Sequence, residues 1–106
     1  MAKAEIFAGI CGFSTTVKTR MNGAKYDIAL ESDCEAIQSL AEGLTEVNPW
    51  QEITFRGEGP LTLKRGAEHC YHPACPVPVG IIKAIEVEAG LALPKEATIK
   101  VSKSDD

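Results

Sequence analysis

At 106 residues the chain has the length of one domain, enough to bury roughly two-thirds of its unfolded surface without staples. With 44% hydrophobic and 25% charged residues it is not a disordered chain, and a net charge of −4 with scattered Lys and Arg excludes the basic stripe that nucleic acid or an anionic membrane requires. The start, Met1-Ala2-Lys3-Ala4-Glu5, has no apolar segment of signal-peptide length and no run approaches a membrane span, so a cytoplasmic location is expected.

Residues 4–10 are short and apolar and run into Cys11-Gly12, which reads as a first strand ending at a turn. From Phe13 the pattern alternates, with Phe13, Thr15, Val17 and Thr19 on one face; after Asn22-Gly23 it resumes with Tyr26, Ile28 and Leu30 inward. Asn-Gly between two alternating runs predicts a tight hairpin, because both turn residues must accept positive φ. Ser32-Asp33-Cys34-Glu35 has the form of a capping box, and Cys34, Ile37, Leu40, Ala41 and Leu44 follow at helical spacing up to Gly43 and just beyond it. Asn48-Pro49-Trp50-Gln51 repeats the start signal for a short helix, with Trp50 as its packing anchor.

Residues 56–60 read as a loop and 61–68 as helix rather than strand. The segment from His69 to Pro78 carries Pro73, Pro76 and Pro78 and is read as irregular. Residues 79–89 are strongly helical, with Val79, Ile82, Ile85 and Ala89 as the buried stripe, Ile81 widening it, and Gly90 as the cap. Residues 97–103 alternate again and close the chain as a strand with Ile99 and Val101 inward; Ser104-Asp105-Asp106 is a frayed end. The expected architecture is α+β over a single domain, residues 1–106: a mostly antiparallel sheet of N-terminal strands plus a C-terminal strand, with two main helices on one face.

The chemistry rests on four cysteines, Cys11, Cys34, Cys70 and Cys75, each at the end of an element or in the proline-rich loop. Reducing conditions in the cytosol disfavour structural disulfides and favour free, catalytic or metal-bound thiols. Cys34 and Cys75 fall at helix starts, where unpaired amides and a partial positive charge favour the thiolate. His69 and His72 flank Cys70, and both zinc and some iron–sulfur centres accept imidazole. The candidate metal ligands are therefore Cys11, Cys34, Cys70, Cys75, His69 and His72, although Cys-x4-Cys matches no zinc-finger or ferredoxin spacing. Each cysteine also fits a core as a small hydrophobe. The hydroxyls of Ser14-Thr15-Thr16 and Ser32 read as strand-face and cap residues, and Arg56-Gly57-Glu58-Gly59 lacks the pattern of a phosphate loop.

The stretch from Ala74 to Glu86, continuing through Ala89-Gly90-Leu91-Ala92-Leu93-Pro94, resembles a small family of uncharacterised bacterial and archaeal proteins, as do Ile10-Cys11-Gly12-Phe13 and Glu31-Ser32-Asp33-Cys34. The resemblance implies that Cys11, Cys34 and Cys75 belong to the family motif and that Cys70 is the more variable. More locally, a Cys-Pro step followed by Gly-Ile-x-Lys-Ala-Ile is similar to the C-terminal domain of NifU-type iron–sulfur scaffolds, which implies iron–sulfur before zinc; those domains use Cys-x2-Cys. Three readings result. The first is a metal ion or iron–sulfur cluster bound by the cysteines, with a protein partner that receives metal or cluster. The second is a thiol-redox or cysteine-nucleophile protein, and the third is a homodimeric assembly module whose cysteines only pack. No reaction or substrate is legible, and so whether the chain is an enzyme is open.

Overall fold

The computed structural model describes residues 1–104. The first strand, β1 (Ala2–Phe7), runs antiparallel to β2 (Ser14–Asn22), which turns at Gly23 (φ 66°) into β3 (Lys25–Ser32). Asn22 still belongs to β2 and pairs with Lys25, so the two-residue turn is Gly23-Ala24, one residue later than the expected Asn22-Gly23, and only Gly23 takes positive φ, which glycine accepts without strain. A two-residue strand, β4 (Glu46–Val47), completes an antiparallel sheet in the order β1-β2-β3-β4. Thr15, Val17 and Thr19 of β2 and Tyr26 and Ile28 of β3 point to the buried face, as their alternation predicts.

Four helices occur among the described residues: α1 (Glu35–Glu42), between β3 and β4, and then α2 (Pro49–Glu52), α3 (Leu61–His69) and α4 (Val77–Glu88). The α+β class and the antiparallel sheet are as expected, and one core joins sheet and helices through Val17, Ile28, Ile37, Leu40, Ile81 and Ile85. Helix α4 lies close on β1, because a Cβ at Gly80 would collide with the Ile6 side chain. At its far end Glu88 accepts a hydrogen bond from the Met21 amide (2.9 Å) and pairs with the Met1 ammonium (3.2 Å). So α4 runs antiparallel to β1, with its start over the Phe7 end of the sheet.

That Met21 hydrogen bond is the main reason the Glu88 carboxyl titrates below its ordinary 4.5, the Met1 ammonium adding to it and burial opposing it. A depressed carboxylate stabilises fully above its unfolded pKa and loses that contribution as pH falls through the lower folded value. Glu88→Gln is therefore expected to be less stable than the wild type at neutral pH, with the difference shrinking as pH drops below 4.5. Urea melts at several pH values check this; a gap independent of pH would contradict it.

Several local expectations differ from the structure. Ser32 is not the cap of α1: it ends β3, and its hydroxyl accepts bonds from the Cys34 amide (3.2 Å) and the Thr15 hydroxyl (2.9 Å), while Cys34 occupies the cap position. Helix α4 starts two residues earlier than read, since Pro78 lies in the first turn, where proline's missing amide costs nothing. Its buried face is accordingly Val77, Ile81, Ala84 and Ile85, and Val79 points to solvent. Phe13 is exposed, and Trp50 is 60% exposed because the inward side of α2 is taken by Pro49 and Glu52. No strand forms over residues 97–103, and Ile99 and Val101 are exposed rather than inward. Of the frayed end, Asp105 and Asp106 lie outside the described residues.

Two polar groups in the interior stand out. Glu52, 2% exposed, accepts hydrogen bonds from the amides of Leu61 (2.8 Å) and Thr62 (2.9 Å) and from the Thr62 hydroxyl (2.6 Å). It thereby caps α3 from another helix, because Pro60 at the cap position has no side-chain acceptor. Thr19, 1% exposed and opposite Ile28, has a hydroxyl without a partner among the described residues. Thr19→Val keeps the β-branched shape and removes a buried unpaired group, so it should raise stability by about 1 kcal/mol. Chemical denaturation measures this directly, and a loss of stability would contradict the burial argument.

Candidate functional site

The strand register sets where the cysteines go. Phe7 lies opposite Ser14 and Thr15 opposite Ser32, so the β1–β2 turn and the β3–α1 junction share one end of the sheet. The start of α4 faces that same end. Cys11 sits on the β1–β2 turn, which is closed by bonds from Ala8 N to Phe13 O (3.0 Å) and Gly12 N to Gly9 O (2.8 Å), and its thiol is exposed. Gly9 (φ 86°) and Gly12 (φ 77°) make this tight turn possible.

Cys70 and Cys75 bracket the loop between α3 and α4. The Cys70 amide closes the last turn of α3 onto Gly66 O (2.9 Å), and the Cys75 amide bonds His72 O (3.2 Å) in the turn before α4. The two helices approach closely here: a Cβ at Gly66 would lie 3.0 Å from Pro78 Cγ. Arg65 holds α3 against α1 by donating to the carbonyls of Ser39 (2.9 Å) and Leu40 (3.2 Å). As a result Cys34, Cys70 and Cys75 are all half-buried and all pack against the core.

Their side chains feel one another. Burial pushes the Cys70 thiol up from 9.0 to about 11, with further contributions from the charge of Cys75, a hydrogen bond between the Cys70 and Cys75 side chains, and the charge of Cys34. The helix-start argument favours thiolates in general, but at Cys70, which ends a helix, burial and neighbouring sulfur win. Beside this trio an open cleft of about 520 Å³ runs between α3 and α4, with Cys70, His72 and Cys75 on its wall together with Ala67, Tyr71 and Pro78. The cleft was not read from the sequence; Gly66 next to Ala67, the small residues that let α3 approach α4, was its signal.

Of the six residues singled out in the sequence, the structure brings together Cys34, Cys70 and Cys75, with His72 exposed on the same cleft wall. His69 ends α3 and does not line the cleft, and Cys11 occupies the turn at the same end of the sheet. Among the described residues no group of three or more His, Cys, Asp and Glu side chains is already arranged to hold a metal ion. No helix among them is long and apolar enough to cross a membrane.

No curated protein and no solved structure matches the chain. The likeness of residues 75–85 to NifU-type domains is matched by none of these comparisons. The family model that does match covers residues 2–101, from the first strand to beyond Ile99, and takes in all four cysteines. The chain belongs to this family, DUF6951, a family of unknown function.

Proposed function

We propose that the chain binds a thiophilic metal ion or an iron–sulfur cluster through Cys34, Cys70 and Cys75, with Cys11 as the fourth ligand. The observation that carries this reading is that three half-buried cysteines, Cys34 before α1 and Cys70 and Cys75 at the two ends of the α3–α4 loop, pack against one core, with Cys70 and Cys75 on the wall of an open cleft and the charges of Cys75 and Cys34 both felt at Cys70. Three thiolates cannot share such a place without a cation, because burial and mutual repulsion both oppose their charge. A bound metal reverses that balance and deprotonates its thiol ligands outright. Cys11 belongs to the β1–β2 turn at the same end of the sheet, flanked by Gly9 and Gly12, which makes it the first choice for the fourth ligand. His72, exposed on the cleft wall, is the alternative fourth ligand. The reading requires the sulfurs to draw together on the metal, to about 2.3 Å from zinc.

Titration of the fully reduced chain with cobalt(II), followed by its thiolate charge-transfer absorbance, tests the reading. One equivalent with an intensity for three or four sulfurs is expected, displaced by zinc. Reduced chain that takes up neither ion would overturn it.

A second reading is favoured by the placement of Cys70 and Cys75, which stand at the two ends of one short loop and on one cleft wall. Two neighbouring thiols can be oxidised to a disulfide by a disulfide such as oxidised glutathione, which is reduced to two thiols. It ranks second because attack needs a thiolate, and the high pKa of Cys70 keeps it protonated at neutral pH. Equilibration against glutathione buffers, with the bond located by mass spectrometry, separates the two readings.

A further inference from the structure

Residues 97–101, Ala-Thr-Ile-Lys-Val, have the alternation of a strand yet pair with no strand of their own chain among the described residues. Ile99 and Val101 are 82% and 90% exposed, and Leu91 and Leu93 are exposed as well. Four large apolar side chains within eleven residues are too many for a solvated tail, and the family match runs through Val101, so the segment belongs to the domain. At the same time β1 is an edge strand of six residues whose outer side pairs with no strand, whereas the other edge, β4, has only two. An open edge of that length accepts an added strand through main-chain hydrogen bonds.

We infer that residues 97–101 of one copy form a strand on the outer edge of β1 of a second copy, reciprocally, in a two-fold dimer. Each copy offers one unpaired strand and one open edge, so a single exchange satisfies both and closes the assembly. The tail leaves α4 at Gly90, two residues after Glu88, which pairs with Met1 at the start of β1. It therefore emerges beside the edge it would need to reach on a neighbour. The added strand extends the core-facing row of Ala4 and Ile6 on β1 with Ile99 and Val101. This surface is the outer edge of β1, and the inference does not depend on the thiol reading.

Light scattering on the full chain after size exclusion is expected to give twice the chain mass of 11.3 kDa. The double variant I99D/V101D, and separately a chain ending at Pro94, should run as monomers at the same concentration with the helical far-UV CD signal retained. Hydrogen exchange should show residues 97–101 and the β1 amides protected in the dimer and β1 less protected in both variants. A wild type that stays monomeric at millimolar concentration, including one whose tail is protected on its own β1, would overturn the inference. So would a dimer that survives both changes.

Discussion

Glu52→Ala is expected to cost about 3–5 kcal/mol, the range for breaking a buried charged hydrogen-bond set. The substitution leaves two backbone amides and the Thr62 hydroxyl without their acceptor in a dry place, at the positive end of α3. The effect should spread, because α3 also carries Arg65, which holds the end of α1, and leads directly into Cys70. Glu52→Gln keeps an oxygen acceptor at lower charge and should lose roughly half as much. Thermal melts provide the check: a fall of more than about 10 °C for the alanine variant is expected. A fall of only 1–2 °C would mean that the Glu52 carboxylate does not hold the start of α3.

Cys75→Ser has the largest expected effect on ligand content. In the metal-free state the change exchanges one small half-buried side chain for another, so stability should move by less than about 1 kcal/mol. In the presence of metal the difference should become large. A ligand at a hundred times its dissociation constant stabilises by about 2.7 kcal/mol, and that gain should vanish with Cys75. Loss of even an outer-shell partner weakens metal sites about 10–100-fold, so removing a direct ligand should do no less. Comparison of Cys11→Ser with His72→Ala then identifies the fourth ligand. Equal metal affinity and equal melting behaviour for wild type and Cys75→Ser would leave the cysteines as packing residues only.

What the sequence revealed follows from which interactions are local. The β2–β3 hairpin, the Asn48 cap on α2 and the Gly90 end of α4 each depend on neighbours a few residues apart; the last two are where the pattern puts them, and the hairpin turn lies one residue later, at Gly23-Ala24. Helix α1 buries Ala36, Ile37 and Leu40, whose spacing is fixed by its 3.6-residue turn, and Leu44 just past its end is buried as well. Helix α4 shows the weakness of reading proline only as a breaker. Val77 and Pro78 start the helix, and once the start moves, Val77, Ile81, Ala84 and Ile85 fall into line. Non-local contacts left no such trace. The two-residue β4 exists only because Tyr26 and Asp27 offer it backbone partners, and Glu52 caps a helix that begins nine residues later.

The site was legible in kind but not in shape. Four cysteines at element ends pointed to a shared location, and the sheet register with the direction of α4 brings three of them together and leaves Cys11 on an adjoining turn. The cleft between α3 and α4 depends on the close approach at Gly66 and Pro78, a contact between residues twelve apart that no periodicity announces. The C-terminal segment is the opposite case. Its alternation is that of a strand, and what is missing is a partner in its own chain, which is why its pattern and its exposure disagree.

The central claim is that the cysteines hold a metal, and its most direct test is the metal and acid-labile sulfide content of chain purified without oxygen or chelator. Iron with sulfide, or zinc, at close to one site per chain is the result the thiol geometry predicts. Folded chain that is purified free of metal, and stays free of it when offered iron or zinc in the reduced state, would contradict the claim.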